Sequence, residues 1–237
     1  MIYGFIIAAG KQTRFKRKKP KALVDINGKS LLSINIEKMN KYCDNVYVVC
    51  STENKDYFDG YRKIVIESGF GCGDAVLKTL DKFMLQPGDT CFIQWGDSIV
   101  DDSVYKSAID NYKNCDVCIP CEYIKNPYVK IEYLDTNKLK VKYKKYNEIE
   151  DSSFGFHDLS IFYGDANIIK LHLSLLSYII NNKNENIKHN KELEFLDIFE
   201  CNTIKCRVIN QKNLSNTFSF NSIEELNNKL SKEINII

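Results

Sequence analysis

Between Ile6 and Leu23 the chain runs IIAAGKQTRFKRKKPKAL, a stretch in which apolar residues give way to three small ones, a polar glycine-bearing loop and a Pro-Lys pair. Ala8, Ala9 and Gly10 present little side chain, so a ligand can lie against backbone N–H groups there. Lys11, Arg14, Lys16, Arg17, Lys18, Lys19 and Lys21 follow. That concentration of positive charge repels itself unless it is solvated or met by an anion. Small residues beside concentrated cations suit a flat base and a polyphosphate, and the chemistry within reach is stabilisation of charge on transferring phosphate.

Two later stretches extend that chemistry. Glu67-Ser68-Gly69-Phe70-Gly71-Cys72-Gly73-Asp74-Ala75 is glycine-rich and leads into a helix expected over Ala75 to Phe83, whose N-terminus offers free N–H groups. Cys91 to Trp95 reads as a strand that stops at Gly96-Asp97-Ser98. A carboxylate at the carboxyl end of a central strand is placed to hold a hard cation between phosphate oxygens, with N-capping of a helix near Asp102 as its structural alternative.

The elements that must position these residues alternate in type. Tyr3 to Ile7, Val46 to Cys50 and Ile64 to Ile66 are strand-like, and a helix is expected from Ser30 to about Tyr42. Continuous apolar strands separated by helices predict an α/β fold with a mostly parallel central sheet flanked by helices, and ligands in such sheets bind beyond the carboxyl ends of the strands. Further on, Pro127 to Tyr133 and Leu139 to Tyr143 alternate about the turn Asp135-Thr136-Asn137-Lys138, a β-hairpin. A helix from Ala166 to Ile180, a polar linker from Asn181 to Lys191 and a last strand from Ile204 to Ile209 complete the pattern.

The opening stretch resembles the signature of the nucleotidyltransferases that make nucleotide-activated sugars and alcohols: two alanines, glycine, two variable positions, Thr/Ser-Arg, a spacer and Pro-Lys. The spacing from Arg14 to Pro20 is similar to that of the N-acetylglucosamine-1-phosphate uridylyltransferase and small cytidylyltransferase branches, while Gln12 stands where the family has a small residue. The resemblance runs over nearly the whole chain. It implies a single Rossmann-like domain, 1–237, with the nucleotide on roughly 1–115, the acceptor on roughly 116–237 and the hairpin inserted over the acceptor site. It also implies transfer of a nucleoside monophosphate from UTP or CTP to a phosphorylated acceptor, with Mg2+ as cofactor and cell-surface polysaccharide synthesis as the setting.

Residue by residue, the resemblance makes Arg14 and Lys21 catalytic and gives the nucleotide to Ala8, Ala9, Gly10, Lys11, Gly71, Cys72 and Gly73. It places Gly155 and Lys142, Lys144 or Lys145 at the acceptor. Asp97 becomes a metal ligand together with Asn221 or, as in phosphocholine cytidylyltransferases, Asp197. Asn221 is equally suited to cap a helix from Ile223 to Ile234. A sugar 1-phosphate, a phosphoester such as phosphocholine or a polyol phosphate, and an inactive nucleotide-binding regulator are the readings that follow. His157 and Asp158 read as acceptor-site or structural residues.

Composition narrows the classes. The 237 residues are 44% hydrophobic and 27% charged, ordinary for a globular protein. The net charge of +2 leaves the basic loop a local feature, which argues against nucleic acid as partner and against a lysine-rich RNA-binding protein. No signal peptide and no apolar run of bilayer length are evident, so neither a membrane partner nor a location outside the cytoplasm is expected; a homodimer stays open. The nine cysteines are odd in number and irregularly spaced, as reduced thiols are. Cys115, Cys118 and Cys121 invite a metal reading, but alternation along a strand sends Cys118 to the face opposite the other two, and no fourth ligand is near.

Overall fold

The computed structural model describes residues 1–10, 19–67, 69–135, 138–150, 152–182, 192–212, 214, 217–220 and 225–226. It opens with β1 (Ile2–Ile7), a small pair β2 (Asp25–Ile26) and β3 (Lys29–Ser30), and α1 (Leu31–Met39). The Ser30 side chain caps α1 by accepting from the Ser33 amide. β4 (Asn45–Ser51), β5 (Lys63–Ile66), α2 (Cys72–Leu80), β6 (Thr90–Trp95), β7 (Ser98–Ile99) and α3 (Asp102–Asn111) follow. Next come β8 (Val117–Lys125), β9 (Val129–Tyr133), β10 (Leu139–Tyr143), β11 (Phe154–Asp158), β12 (Ile161–Asp165) and α4 (Ala166–Asn182). β13 (Cys206–Asn210) and β14 (Phe218–Ser219) come last among the described strands.

One sheet runs β10-β9-β11-β8-β12-β6-β1-β4-β5, with β13 added alongside β8. β5, β4, β1 and β6 are parallel to one another, whereas β12, β8, β11, β9 and β10 extend the sheet by antiparallel pairing. β1 is apolar on both sides because both are covered. Tyr3 and Phe5 join Val49, Ile93 and the α2 and α4 residues Val76, Leu80, Ile169 and Leu173. Ile6 and Ala8 join Val48, Phe92 and the α1 and α3 residues Leu32, Met39, Val104 and Tyr105. This three-layer arrangement brings the carboxyl ends of β1, β4 and β6 level, with Ile7 beside both Val49 and Trp95.

Several boundaries differ from those the sequence predicts. α2 begins at Cys72, three residues before Ala75, because Gly71 takes the N-cap position at φ 99°. The helix stops at Leu80, and Phe83 turns back to pack edge-on against Tyr3, Phe5 and Tyr47. β11 and β12 are separated where Ser160 adopts φ 63° and donates its amide to Asp158 Oδ1 at 3.0 Å. His157 Nδ1 donates to the Val129 carbonyl at 3.2 Å, so His157 and Asp158 both hold structure together. No helix among the described residues is long and apolar enough to cross a membrane.

The cysteines need one correction. Cys118 and Cys121 do enter opposite cores, but Cys115 precedes β8 and is therefore free of its alternation; its Sγ lies 3.5 Å from Cys118 Sγ. The Cys118 thiol and the Arg207 charge lower the Cys115 pKa, while burial and the Cys115 contact raise that of Cys118. Two thiols in contact fall short of a zinc site, and the described residues hold no group of three or more suitable ligands. Elemental analysis of the purified protein should find well under one zinc or iron per chain. A metal near stoichiometric and lost in Cys115→Ser would overturn this packing role.

Candidate active site

The mouth formed by β1, β4 and β6 is closed tightly at one point. The Gly96 amide donates to the Ile7 carbonyl at 2.9 Å, and a Cβ on Gly96 would stand 2.9 Å from that same oxygen and 3.4 Å from the methyls of Ala8 and Ala22. Only glycine lets the end of β6 lie this close to the end of β1. On the other flank the Ala8 amide donates to Val49, and Asn54 Nδ2 donates to the Ala8 carbonyl at 2.9 Å. The small residues Ala8 and Ala9 thus have their backbone path fixed from both sides.

Directly after Gly96 comes Asp97. Its Oδ2 accepts from Lys21 Nζ at 3.3 Å, and the same ammonium lies 3.4 Å from the Phe220 carbonyl. The Lys21 side chain is only 11% exposed, whereas Asp97 at 36% opens to solvent. Pro20 enters the 3-10 turn Lys21–Leu23, which fixes the direction from which Lys21 arrives. Capping of α3 belongs to Asp101, whose Oδ1 accepts from the Ser103 amide at 2.9 Å, so the alternative role for Asp97 is taken by another residue. Phe220 is buried with Val24, Ile26, Leu31 and Ile99, behind the β14–β7 pair. Lys11, Arg14 and Asn221 lie outside the described residues.

The second glycine stretch meets the chain itself. Gly73 donates its amide to the Leu193 carbonyl at 2.8 Å, and Leu193 donates to the Phe70 carbonyl at 2.8 Å. A Cβ on Gly71 or Gly73 would come within 2.4 or 2.8 Å of the Leu193 oxygen. Close approach at these glycines is therefore used by the residue 193 backbone. Cys72, in the first turn of α2, donates to Glu194 Oε2 at 3.2 Å and accepts from the Phe195 amide at 3.3 Å. Burial and the Glu194 carboxylate push its pKa well up, so the group is a neutral thiol.

One of the acceptor candidates, Lys145, meets this strap. Lys145 pairs with Glu194 and, at 3.1 Å, with Glu192, and the Tyr146 hydroxyl reaches Glu194 at 3.2 Å. Burial alone would lower the Lys145 pKa, but the bond to Glu194 overcomes it and raises the value. Tyr143, buried, donates to Asp197 Oδ1 at 2.7 Å. On the other face of the hairpin, Lys142 and Lys130 stand directly opposite each other and share Glu132, at 2.8 and 2.6 Å. The Lys130 stem lies across Gly155, whose added Cβ would meet Lys130 Cγ at 2.5 Å. Lys144 is exposed, with its amide bonded to the Tyr128 carbonyl at 3.0 Å.

The structure brings Lys21 and Asp97 together and sets Asp197 with Tyr143. Lys130 and Glu132 are missed by the sequence reading although their period-2 spacing with Lys142 marks one hairpin face. Glu194 has no local signal, because its partners come from distant parts of the chain.

Residues 4–130 match the MobA-like NTP transferase domain. The chain belongs to that family. The matched residues thus form an NTP transferase domain. Its relatives include the bifunctional protein GlmU of Methanococcus maripaludis strain C5, 33% identical over 124 residues, which are 46% of this chain and 30% of the relative. GlmU of Thermotoga petrophila is 30% identical over 128 residues, 52% of this chain and 28% of the relative. The chain thus aligns with less than a third of either curated protein.

Two solved structures share the fold along the whole chain. A putative glucose-1-phosphate thymidylyltransferase from Bacillus anthracis superposes with TM-score 0.73 at 15% identity, covering 100% of this chain and 97% of that one. The CTP:phosphocholine cytidylyltransferase of Streptococcus pneumoniae gives 0.71 at 14%, covering 98% of each.

The two kinds of glycine contact in this NTP transferase domain predict different costs. Gly71→Ala forces a side chain into φ 99° and against a backbone oxygen, so urea unfolding should show a loss of about 2 kcal/mol or more. Gly155→Ala meets only the flexible Lys130 stem and should cost roughly half of that or less. Equal stabilities for the two variants would refute the strap contact.

Proposed function

We propose that the protein transfers a nucleoside monophosphate from UTP or CTP to a sugar 1-phosphate, giving an NDP-sugar and pyrophosphate. The observation that carries this reading is the Lys21–Asp97 pair at the carboxyl ends of β1 and β6, a cation and a hard carboxylate 3.3 Å apart beside a backbone suited to phosphate. An acceptor phosphate oxygen forms a bond to the α-phosphorus in line, the bond from the α-phosphorus to the bridging oxygen breaks, and pyrophosphate departs with that electron pair. No covalent intermediate is required. The work of the chain is orientation and charge stabilisation.

In this reading Lys21 and Arg14 neutralise charge that grows on the leaving group and the α-phosphate, and Ala8, Ala9, Gly10 and Lys11 hold the nucleotide, while the loop Gly71-Cys72-Gly73, whose Gly73 amide and close-approach face are taken by Leu193, supports the site from behind. The partly exposed Asp97 oxygen fits a hard cation, and Asp97 with Asn221 would hold Mg2+, which supplies Lewis-acid polarisation of the phosphate when bound. Two contacts support Asn221 over Asp197 as the second ligand: the carbonyl of neighbouring Phe220 approaches Lys21, and Tyr143 already occupies Asp197. The acceptor lies on the 116–237 half, with Gly155, Lys142 and Lys144 about it.

A second reading, a cytidylyltransferase acting on phosphocholine or a related phosphoester, is favoured by one cluster. Glu192, Glu194 and Asp197 stand with Tyr143 and Tyr146, carboxylates and aromatic rings that here hold the Lys145 ammonium and would suit a cationic acceptor in its place.

A screen of four NTPs against phosphorylated acceptors, reading pyrophosphate release, decides between them: a sugar 1-phosphate is the expected acceptor, and preference for phosphocholine moves the conclusion to the second reading. Lys21→Ala should lose on the order of a hundredfold in kcat, about 3 kcal/mol, with acceptor binding nearly unchanged. Lys21→Arg should recover only part of it, since a planar fork replaces a point charge. Near-normal turnover in Lys21→Ala would remove the catalytic reading of the pair.

A further inference from the structure

Behind the turn that carries Asp97 lies a buried polar network. The Ser98 carbonyl accepts from Asn35 Nδ2 at 2.8 Å and from Gln94 Nε2 at 3.3 Å. The Gln94 amide oxygen in turn accepts the Tyr105 hydroxyl, and Ser98 Oγ donates to the Trp95 carbonyl at 2.8 Å, which closes the turn on itself. Asn35 on α1, Gln94 on β6 and Tyr105 on α3 are fully buried; the first two bond the Ser98 peptide and the third reaches it through Gln94. Ser98 is also the ladder partner of Ser219, two residues before position 221. Ser98 therefore ties the Asp97 turn to the strand that leads to the second proposed ligand.

Asn35 keeps its place at a cost. Its Oδ1 is buried without a hydrogen-bond partner among the described residues, and such an orphan acceptor destabilises a core. A leucine of similar volume would fill the same space without it. An amide satisfied at one end only is what remains when one N–H is required at that spot and nothing is required of the oxygen.

We propose that Asn35 and Gln94 are positioning residues of the reaction: by fixing the Ser98 carbonyl they hold the Asp97 carboxylate in the orientation that binds the metal, with Tyr105 locking the Gln94 amide. This rests on the reading of Asp97 as a metal ligand. It differs from a packing role because the amides act on a backbone group next to the ligand and lie outside any contact with substrate. Outer partners of this kind typically set metal affinity by tenfold or more.

The test titrates Mn2+ into the whole protein with UTP or CTP present, follows the EPR signal of the free ion, and records thermal melting beside it. Asn35→Leu should melt at or above the wild-type temperature, because an orphan acceptor is gone, while its Mn2+ dissociation constant rises about tenfold and kcat falls more than KM for the nucleotide changes. The double variant Gln94→Met/Tyr105→Phe, which removes amide and hydroxyl together and leaves neither unpaired, should weaken Mn2+ in the same way and serves if Asn35→Leu does not fold. Asp97→Ala is the reference. Wild-type Mn2+ affinity in the folded network variants, with affinity lost in Asp97→Ala, overturns the positioning role and leaves the Asp97 reading intact. Wild-type affinity in Asp97→Ala itself overturns that reading and this inference with it.

Discussion

The close contact between the ends of β1 and β6 is the constraint on which the site depends. Because the Gly96 amide bonds directly to the Ile7 carbonyl, the residue after Gly96 must leave the sheet at the point where Ala8 and Ala9 begin. Lys21 then reaches the Asp97 carboxylate at 3.3 Å. The double burial of β1, with Tyr3 and Phe5 to one core and Ile6 and Ala8 to the other, makes this juncture rigid. A charge pair built on such a base is held in a fixed geometry.

The antiparallel extension does a different job from the parallel block. Its hairpin carries charged residues on one face, where Lys130, Glu132 and Lys142 form a chain of ion pairs, and buries Val129, Ile131, Val141 and Tyr143 on the other. Directly opposed like charges would destabilise that pairing, and Glu132 between the two lysines relieves it. The same hairpin leads to Lys145, which reaches across to the residue 192–194 strap and so to the glycine loop. The hairpin and the loop that opens α2 are thereby joined through carboxylates and not through packing alone.

What was legible in the sequence follows the range of the forces involved. The strand before Ala8, the Gly96-Asp97 ending of β6 and the helices α1 and α3 depend on apolar pattern and local turn chemistry, and they stand close to where the pattern put them, although α1 ends at Met39 and not near Tyr42. The start of α2 was misplaced because the positive φ of Gly71 makes it a cap, and one-dimensional periodicity carries no dihedral angle. Cys115 was assigned to the wrong face because the strand begins two residues later at Val117. Gly71 and Gly73 drew attention as places where a backbone is approached closely. That is correct, but the approaching backbone belongs to Leu193, and no local pattern could have named it. Asn35 and Gln94 were invisible for the same reason.

The two contacts that complete the mouth join residues very far apart in the chain: Cys72 meets Glu194 across 122 positions, and Lys21 meets the Phe220 carbonyl across 199. A polypeptide emerging from the ribosome displays its basic loop and its glycine loop long before either partner exists. Through most of synthesis the cations near residue 21 and the open backbone at residues 71 to 73 are present without the contacts that give them their final shape. Domains form as units once their long-range pairs are available, so the mouth takes shape only when the segments near 193 and 220 have been made. The surroundings of Lys21 and of the Gly71-Cys72-Gly73 loop are therefore completed late, by segments made long after them.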